Sequence, residues 1–570
     1  MNHAGRGVAS WFFGIWAAYL LGAAHFYAGS TGGDGLYIPF NACGWIFASL
    51  MTGYGLWAIY ERHEVTFSRL QGWIWAGALL ALVPLAYPFP FREWAIPRLL
   101  GLFGGLLFLF SLYQCGTSRE DRFNVLYLVL GAVGIEAVLG LLQFYFPAVG
   151  KWVGYSSEVN QPFGVFLQRN VLASFLATGL ALATWLLAND PGAAKWKRWL
   201  CYGLMPPVAM LLVVGQSRAG QVGAIIAMAL LWPALVRERR ESVSRVLALI
   251  ALGLVAGWLS LGAAESRLGE TVGTRPLIWS QSLKLFAESP WLGQGYGGFE
   301  SAYLRAYGVA KGNDAAFPVL EENLDHPHNE ILFWAVEGGI LPVIGIAIAI
   351  AGFLLVLRRG PWRRSLAFLA LVAPIVLHTQ TEFPFDMSTT HWFVFLLLVF
   401  VTDQEMGQVG TYPYTSRLLA PVLAVAVPLL TVPFMVTAIH SNWLMVEYVR
   451  SGYRDVTKLL DVVNRVAVLR DFEYSAYTMR MRSGRKSDLQ AYVDWGRRTM
   501  PHQPRSLVYI NMVLALDAMG KPEEAQKVRR EAAQLYPHNP ILNGTISIAV
   551  ARGLEKPGPE ATPYMKKELE

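Results

Sequence analysis

The stretch Asp325-His326-Pro327-His328-Asn329-Glu330-Ile331-Leu332-Phe333-Trp334-Ala335-Val336-Glu337-Gly338-Gly339, which runs on as apolar sequence to Leu357, decides the fold. A hydrocarbon core about 30 Å thick takes roughly 20 apolar residues of helix. Residues 331–357 exceed that length with Glu337 as their one charged side chain, so they read as a membrane span entered from a polar mouth. Windows of the same size pick out about thirteen spans, near 8–28, 39–60, 71–87, 97–114, 123–146, 171–189, 199–216, 219–236, 246–264, 331–357, 365–380, 389–402 and 418–438. Composition agrees: of 570 residues 54% are hydrophobic and 15% charged, whereas soluble chains carry roughly 25% charge. The expected class is therefore an all-α polytopic membrane protein with about 12–14 transmembrane helices. Intrinsic disorder, a secreted disulfide scaffold and a basic nucleic-acid binder are excluded. Val8–Ala28 is long enough to span and no A-x-A cleavage site follows it, so it is expected to stay attached as the first helix. Cys43, Cys115 and Cys201 lie far apart in apolar stretches and read as small core residues.

Cation placement gives an orientation. With the N-terminus taken as cytoplasmic, seventeen Lys and Arg fall in inner loops, including Arg119, Arg122, Arg237, Arg239, Arg240, Arg363 and Arg364. The short outer loops hold five, Arg92, Arg98, Lys151, Arg169 and Arg218. This positive-inside bias accounts for much of the +7 net charge without a polyanionic partner. Residues 265–327 then form a large outer loop, and a helical tail from 439 to 570 also lies outside. Within the tail, Tyr509, Gly520, Ala525, Ala532 and Pro537 fit one tetratricopeptide repeat. The end, with Pro557, Pro559 and Pro563, reads as frayed.

Several polar groups on the expected outer side could carry chemistry. His326 and His328 precede a helix, where an imidazole can take or give a proton near neutral pH. His326 and Asn329 could equally be helix-start residues. Glu337 lies two turns into an apolar run, where a carboxylate is either functional or internally paired. Arg218, in Ser217-Arg218-Ala219-Gly220, is an outer arginine that suggests an anionic partner or snorkelling. Arg275 opens an amphipathic helix running to Ser289-Pro290; its guanidinium could grip phosphate oxygens in pairs or simply be solvated. Gln161 to Asn170, with Gln168 and Arg169, introduces the sixth span and suits a sugar or phosphate ligand or an ordinary helix cap. His378-Thr379-Gln380-Thr381-Glu382-Phe383-Pro384 forms another outer turn. No Walker loop, no H-E-x-x-H and no paired Cys clusters are present, so no nucleotide, metal or other cofactor is expected.

In this order the motifs resemble the O-antigen ligase and polymerase superfamily, and within it the bacterial PglL-type protein O-oligosaccharyltransferases. Gln161–Asn170 looks like the family's "QPFG…Q-x-N" element, and Ser217–Gly220 like its "SR-[AG]-G" turn. Arg275–Phe299 looks like the "R…W…P…G-x-G…F" loop, His328-Asn329 with Glu337 and Gly339 like "HN…E-x-G", and His378–Pro384 like "H…E-[FY]-P". Pro342 departs from the small residue often found three places after the motif glycine. The resemblance implies a GT-C-like transmembrane glycosyltransferase domain at 1–438 and a periplasmic TPR-like domain at 439–570, in a bacterial inner membrane. It implies en bloc transfer of an oligosaccharide from undecaprenyl pyrophosphate to Ser or Thr hydroxyls of periplasmic or pilin-like proteins. His328 would be the catalytic base and Arg218 and Arg275 the pyrophosphate clamp. Gln168, Asn170, His326, Asn329, Glu337 and Glu382 would support substrate binding. An O-antigen ligase acting on a lipid A core, an O-antigen polymerase, and a lipid-linked glycan transporter are the alternatives. A transporter should show broken helices and polar residues near mid-membrane, whereas here the polar residues cluster at one face.

Overall fold

The apolar run from Ile331 is not one helix. In the computed structural model, which describes residues 3–154, 161–261, 273–314, 316–319 and 324–544, it divides into Glu330–Gly338 and Ile340–Leu357. Gly339 makes the break, with φ +71° and ψ −155°, a conformation open to glycine and costly for any residue with a Cβ. The chain is locked there by backbone bonds, Ile340 N donating to Pro290 O at 2.9 Å and Gln294 N to Val336 O at 2.7 Å. The expected span is therefore only its second half, eighteen residues or about 27 Å of helix. The C-terminal end, expected from its sequence to fray, and residues 265–272 of the outer loop lie outside the described residues.

The protein is an all-α polytopic membrane protein. Ten helices among the described residues, from Pro39–Arg62 to Leu419–Arg450, are long and apolar enough to cross a membrane. The three other expected spans correspond to His3–Leu20, Trp362–His378 and Thr389–Met406. Polar residues such as Arg363, Arg364, Asp403 and Glu405 sit at the ends of the last two and shorten their apolar stretches.

The chain forms two compact units. The first comprises Met1–Leu80, Arg98–Thr271 and Ile344–Val468. At its centre helix Arg169–Asn189 is buried along nearly its whole length. Small residues let its neighbours approach: a Cβ on Gly220 would run into Ala173, and one on Gly223 would stand 3.2 Å from the Pro374 Cα, the close packing that apolar surroundings favour. Loops sort to two ends of this unit. At one end Glu405 accepts from Arg122 at 3.1 Å and from Arg364 at 2.9 Å. There too strand Glu64–Ser68 pairs antiparallel with Val409–Pro413, from Glu64 opposite Pro413 to Ser68 opposite Val409. These are the loops in which the cations gather. At the other end lie Asn170, Ser217 and Glu382.

The second unit comprises Ala81–Pro97, Val272–Val343 and Leu469–Glu570. Helix Leu419–Arg450 runs through residue 439 without interruption, so the change in composition there falls inside a helix. The expected repeat is the hairpin Ser506–Ala518 and Pro522–Leu535, turned by Gly520 at φ +74°. Ala525 and Ala532 are buried between its helices, and Tyr509 Oη donates to Glu531 Oε1 at 3.0 Å. A further pair, Leu469–Met481 and Lys486–Thr499, packs before it. Arg275–Glu288 is the expected amphipathic helix. Helix Phe299–Asn313 rests on Pro522–Leu535, where Gly308 meets the backbone of Gln534.

Candidate functional site

The sequence candidates divide between the two units. Asn170, Ser217, Arg218, Gln168 and Glu382 belong to the first, and Arg275, His326, His328, Asn329 and Glu337 to the second.

In the first unit three motifs meet through side-chain hydrogen bonds. Ser217 caps the helix that starts at Arg218, accepting from Gly220 N, and its hydroxyl donates to Asn170 Oδ1 at 2.8 Å. Asn170 in turn donates to Glu382 Oε1 at 3.4 Å, and Glu382 is buried. Arg218 is the first residue of its helix and is exposed, where peptide N–H groups and the helix dipole add to its own charge in attracting anions. Gln168 precedes helix Arg169–Asn189 without capping it; its Oε1 is buried with no hydrogen-bond partner among the described residues. His378 is fully buried and shares the hydroxyl of Ser174 with His391, at 2.8 and 3.1 Å, so it packs helices together.

Sequence reading missed what holds the Gln161–Asn170 loop in place. Gln143 Oε1 accepts from the backbone N of Phe163 and Gly164 at 2.9 and 2.8 Å, and its Nε2 donates to Gly164 O at 2.8 Å. Glu136 Oε2 accepts from Val165 N at 3.1 Å, and its other oxygen lies 2.6 Å from His25 Nδ1. Both side chains are fully buried. Gly164, at φ +62°, leaves room for Glu136, since a Cβ there would collide with its carboxylate. The signal was present: a carboxylate in the middle of an apolar span is expensive unless it has partners.

In the second unit the arrangement is ionic. His326 Nδ1 lies 2.7 Å from Asp325 Oδ1, and His326 Nε2 lies 3.2 Å from His328 Nδ1. Arg470 NH1 lies 3.8 Å from the other oxygen of Asp325. Burial alone would raise the Asp325 carboxyl, but the His326 hydrogen bond and charge, helped by Arg470 and Arg505, hold it below its ordinary value. Nearby, buried Glu300 pairs with Arg505 at 3.0 Å; burial outweighs that partner and pushes its carboxyl up to about 7. Asn329 caps the next helix, accepting from Leu332 N at 2.9 Å, so the capping role belongs to it and not to His326. Trp279 Nε1, on the helix that Arg275 opens, donates to Pro327 O at 3.0 Å and ties that helix to the histidine loop.

Glu337 has an internal partner. It ends the short helix Glu330–Gly338, is buried, and accepts from Phe299 N at 3.3 Å. Gly293 and Gly339 pack against this corner so closely that a Cβ on either would collide with backbone. Glu337 thus lies two turns into a short apolar helix, where its carboxylate is internally paired and pins a loop start, and Gly339 separates it from the membrane-length helix that follows. Of the six non-glycine residues with positive φ among the described residues, Leu167 and Gln216 lie beside candidate residues and His328 is one, with φ of 61°, 48° and 52°, while His63, Phe91 and Tyr453 lie elsewhere. Side chains with a Cβ rarely occupy that region, and such residues concentrate at functional sites.

These segments match known families. Residues 162–187 match the model described as "Protein glycosylation ligase", 204–347 that described as "O-Antigen ligase", and 366–542 that described as "Virulence factor membrane-bound polymerase, C-terminal". The windows contain, in turn, Gln168 and Asn170; Arg218, Arg275 and the histidine loop; and Glu382, Arg470 and Arg505. The O-antigen ligase of Pseudomonas aeruginosa is 30% identical over 173 residues, an overlap of 29% of this chain and 38% of that relative's length. Three matches in chain order, each falling on a motif that the fold holds in a defined place, make this chain similar to the O-antigen ligases and to the protein glycosylation ligases.

Proposed function

We propose that this protein is a glycan-transferring enzyme that moves an oligosaccharide en bloc from undecaprenyl pyrophosphate to Ser or Thr hydroxyls of periplasmic, pilin-like proteins. Residues 1–438 act as the transmembrane transferase domain and 439–570 as a periplasmic helical domain, with the N-terminus cytoplasmic, in a bacterial inner membrane. The observation that carries the reading is the bonded run Asp325–His326–His328 at the mouth of a helix, in the segment matched to O-antigen ligases.

In this reading His328 takes the proton of the acceptor hydroxyl, a contribution of roughly 10²- to 10⁴-fold. The hydroxyl oxygen forms the new bond to the anomeric carbon as the bond from that carbon to the phosphate oxygen breaks. The electron pair leaves with undecaprenyl pyrophosphate, and Arg218 and Arg275 stabilise the charge that develops there, an effect commonly large in such sites. Gln168, Asn170 and Glu382 position sugar or acceptor. Pyrophosphate leaves well without further activation, so the reaction proceeds without a metal.

The test is expression with a lipid-linked oligosaccharide and candidate acceptors, read by mass spectrometry. Wild type should add the glycan to a serine or threonine peptide, chelator should not prevent it, and His328→Ala should abolish it while the protein remains folded in the membrane. Unchanged transfer by His328→Ala removes the catalytic assignment. The likeness to an O-antigen ligase favours a second reading, the same chemistry on a lipid A core; glycan appearing there and on no protein would select it.

A further inference from the structure

The histidine run has a direction, and the residues that impose it lie beyond the pair of histidines. A carboxylate only accepts hydrogen bonds. Asp325, 2.7 Å from His326 Nδ1, therefore places the His326 proton on Nδ1. When His326 is neutral its Nε2 then holds a lone pair, and in that state the His328 Nδ1 at 3.2 Å is the donor. The second proton is so placed on His328 Nδ1, and His328 Nε2 becomes the basic nitrogen. Without the carboxylate, His326 can carry its proton on Nε2 instead. His328 Nδ1 would then accept, and its Nε2 would be protonated and useless as a base. An error of one proton at residue 325 is thus passed through two rings to the reacting nitrogen.

Asp325 is itself held. Arg470, on the first turn of helix Leu469–Met481, lies 3.8 Å from Asp325 Oδ2, the oxygen that His326 does not use. His328 sits at φ +52°, a strained conformation that persists only where the surrounding structure holds it. A second brace, Arg505 to Glu300, ties the segment after residue 500 to helix Phe299–Asn313 within the same compact unit.

We propose that Asp325 and Arg470 are positioning residues: the carboxylate sets which nitrogen of His328 is basic, and the C-terminal helical segment, through Arg470, keeps that carboxylate in place. The tail thereby acts on the chemistry itself as well as on any acceptor. This rests on His328 being the base. During transfer the acceptor proton passes to His328 Nε2, and the positive charge gained by the ring pair is balanced by Asp325.

The experiment uses the full-length chain in lipid nanodiscs, with an undecaprenyl-pyrophosphate-linked oligosaccharide as donor and a pilin-derived serine peptide or a lipid A core as acceptor. Asp325→Asn should lower kcat by about 10- to 100-fold, the usual cost of losing a group that orients a functional histidine. Its donor KM and melting temperature should stay near wild type, and Asp325→Glu should restore most of the loss. Arg470→Ala should lower kcat in the same way but by less, with Arg470→Lys in between. Any other pattern overturns the proposal: wild-type kcat in Asp325→Asn, a loss confined to KM, or no rescue by glutamate. If His328→Ala is inactive while Asp325→Asn is normal, only this inference fails. If His328→Ala is active, the reading beneath it fails.

Discussion

The Gln161–Asn170 loop of the first unit and the Asp325–Asn329 loop of the second solve the same problem by different means. The first is pinned by Gln143 and Glu136, whose oxygens accept from three consecutive backbone N–H groups. The second is pinned by charges, Asp325 with Arg470 and, on neighbouring helices, Glu300 with Arg505. Unit one is built from membrane-length helices, where exposed charge is expensive and backbone groups must find partners within the protein. Unit two is rich in charged amphipathic helices, where arginines can keep one side in water and still orient a carboxylate. The first solution, being buried, should resist salt and fail abruptly on deletion. The second should be adjustable.

Deletion in the first loop is the most damaging way to break the contrast. Glu136→Ala strands Val165 N and the His25 ring in a buried site, and losing one partner of such a pair costs about 3–5 kcal/mol. The variant should accumulate poorly and melt well below wild type in detergent. If it melts normally, the loop is not held as described. Next come Arg218→Lys and Arg275→Lys, one in each unit. Each keeps its charge and loses the planar fork, so donor kcat/KM should fall by about 10- to 100-fold, equivalent to one or two charge-assisted hydrogen bonds. Full activity in both would reject a phosphate clamp. Gly164→Ala should cost about 1–2 kcal/mol from the left-handed backbone, and more if Glu136 must move; thermal melting reads it.

The smallest effect sharpens the other side. His502 is buried between the rings of Phe91 and Trp94, whose centroids lie 4.7 and 4.5 Å away, and neither ring nitrogen has a hydrogen-bond partner among the described residues. Burial lowers its pKa to about 4. A histidine depressed in the fold contributes stability above its ordinary value of about 6.5, and that contribution is lost as pH falls toward 4. His502→Phe keeps the stacking and removes the titration. Proteolysis of the tail at pH 7.5 and pH 5 should show acid sensitivity in wild type and less in the variant; equal sensitivity in both would place the titrating group elsewhere.

Legibility from sequence differed between these regions for physical reasons. Helices such as Arg169–Asn189 and Arg218–Glu238 were visible because each must be long and apolar by itself. Helix Arg275–Glu288 and the hairpin turned at Gly520 were visible because their periodicity and glycine placement are local. The break at Gly339 was signalled by Gly338-Gly339 and Pro342, yet the apolar content on both sides concealed it, since hydropathy does not register a φ of +71°. For the same reason Glu337 was assigned to the long span and not to the short helix before it. Glu136 was passed over because its partners, Val165 N and His25, are 29 and 111 residues away.

Sequence alone determined that this chain is a helical membrane protein, how its cations are distributed, and which short motifs carry reactive side chains. Those follow from hydrophobic length and residue type, properties each segment has without its neighbours. Tertiary structure decided what those residues do to one another: Asn329 caps, Glu337 anchors a loop, Glu136 holds the Gly164 turn, and Asp325 and Arg470 order the His326–His328 pair. Hydrogen bonds and ion pairs act over about 3–4 Å, and only the folded chain brings residues as distant as Asp325 and Arg470 within that range.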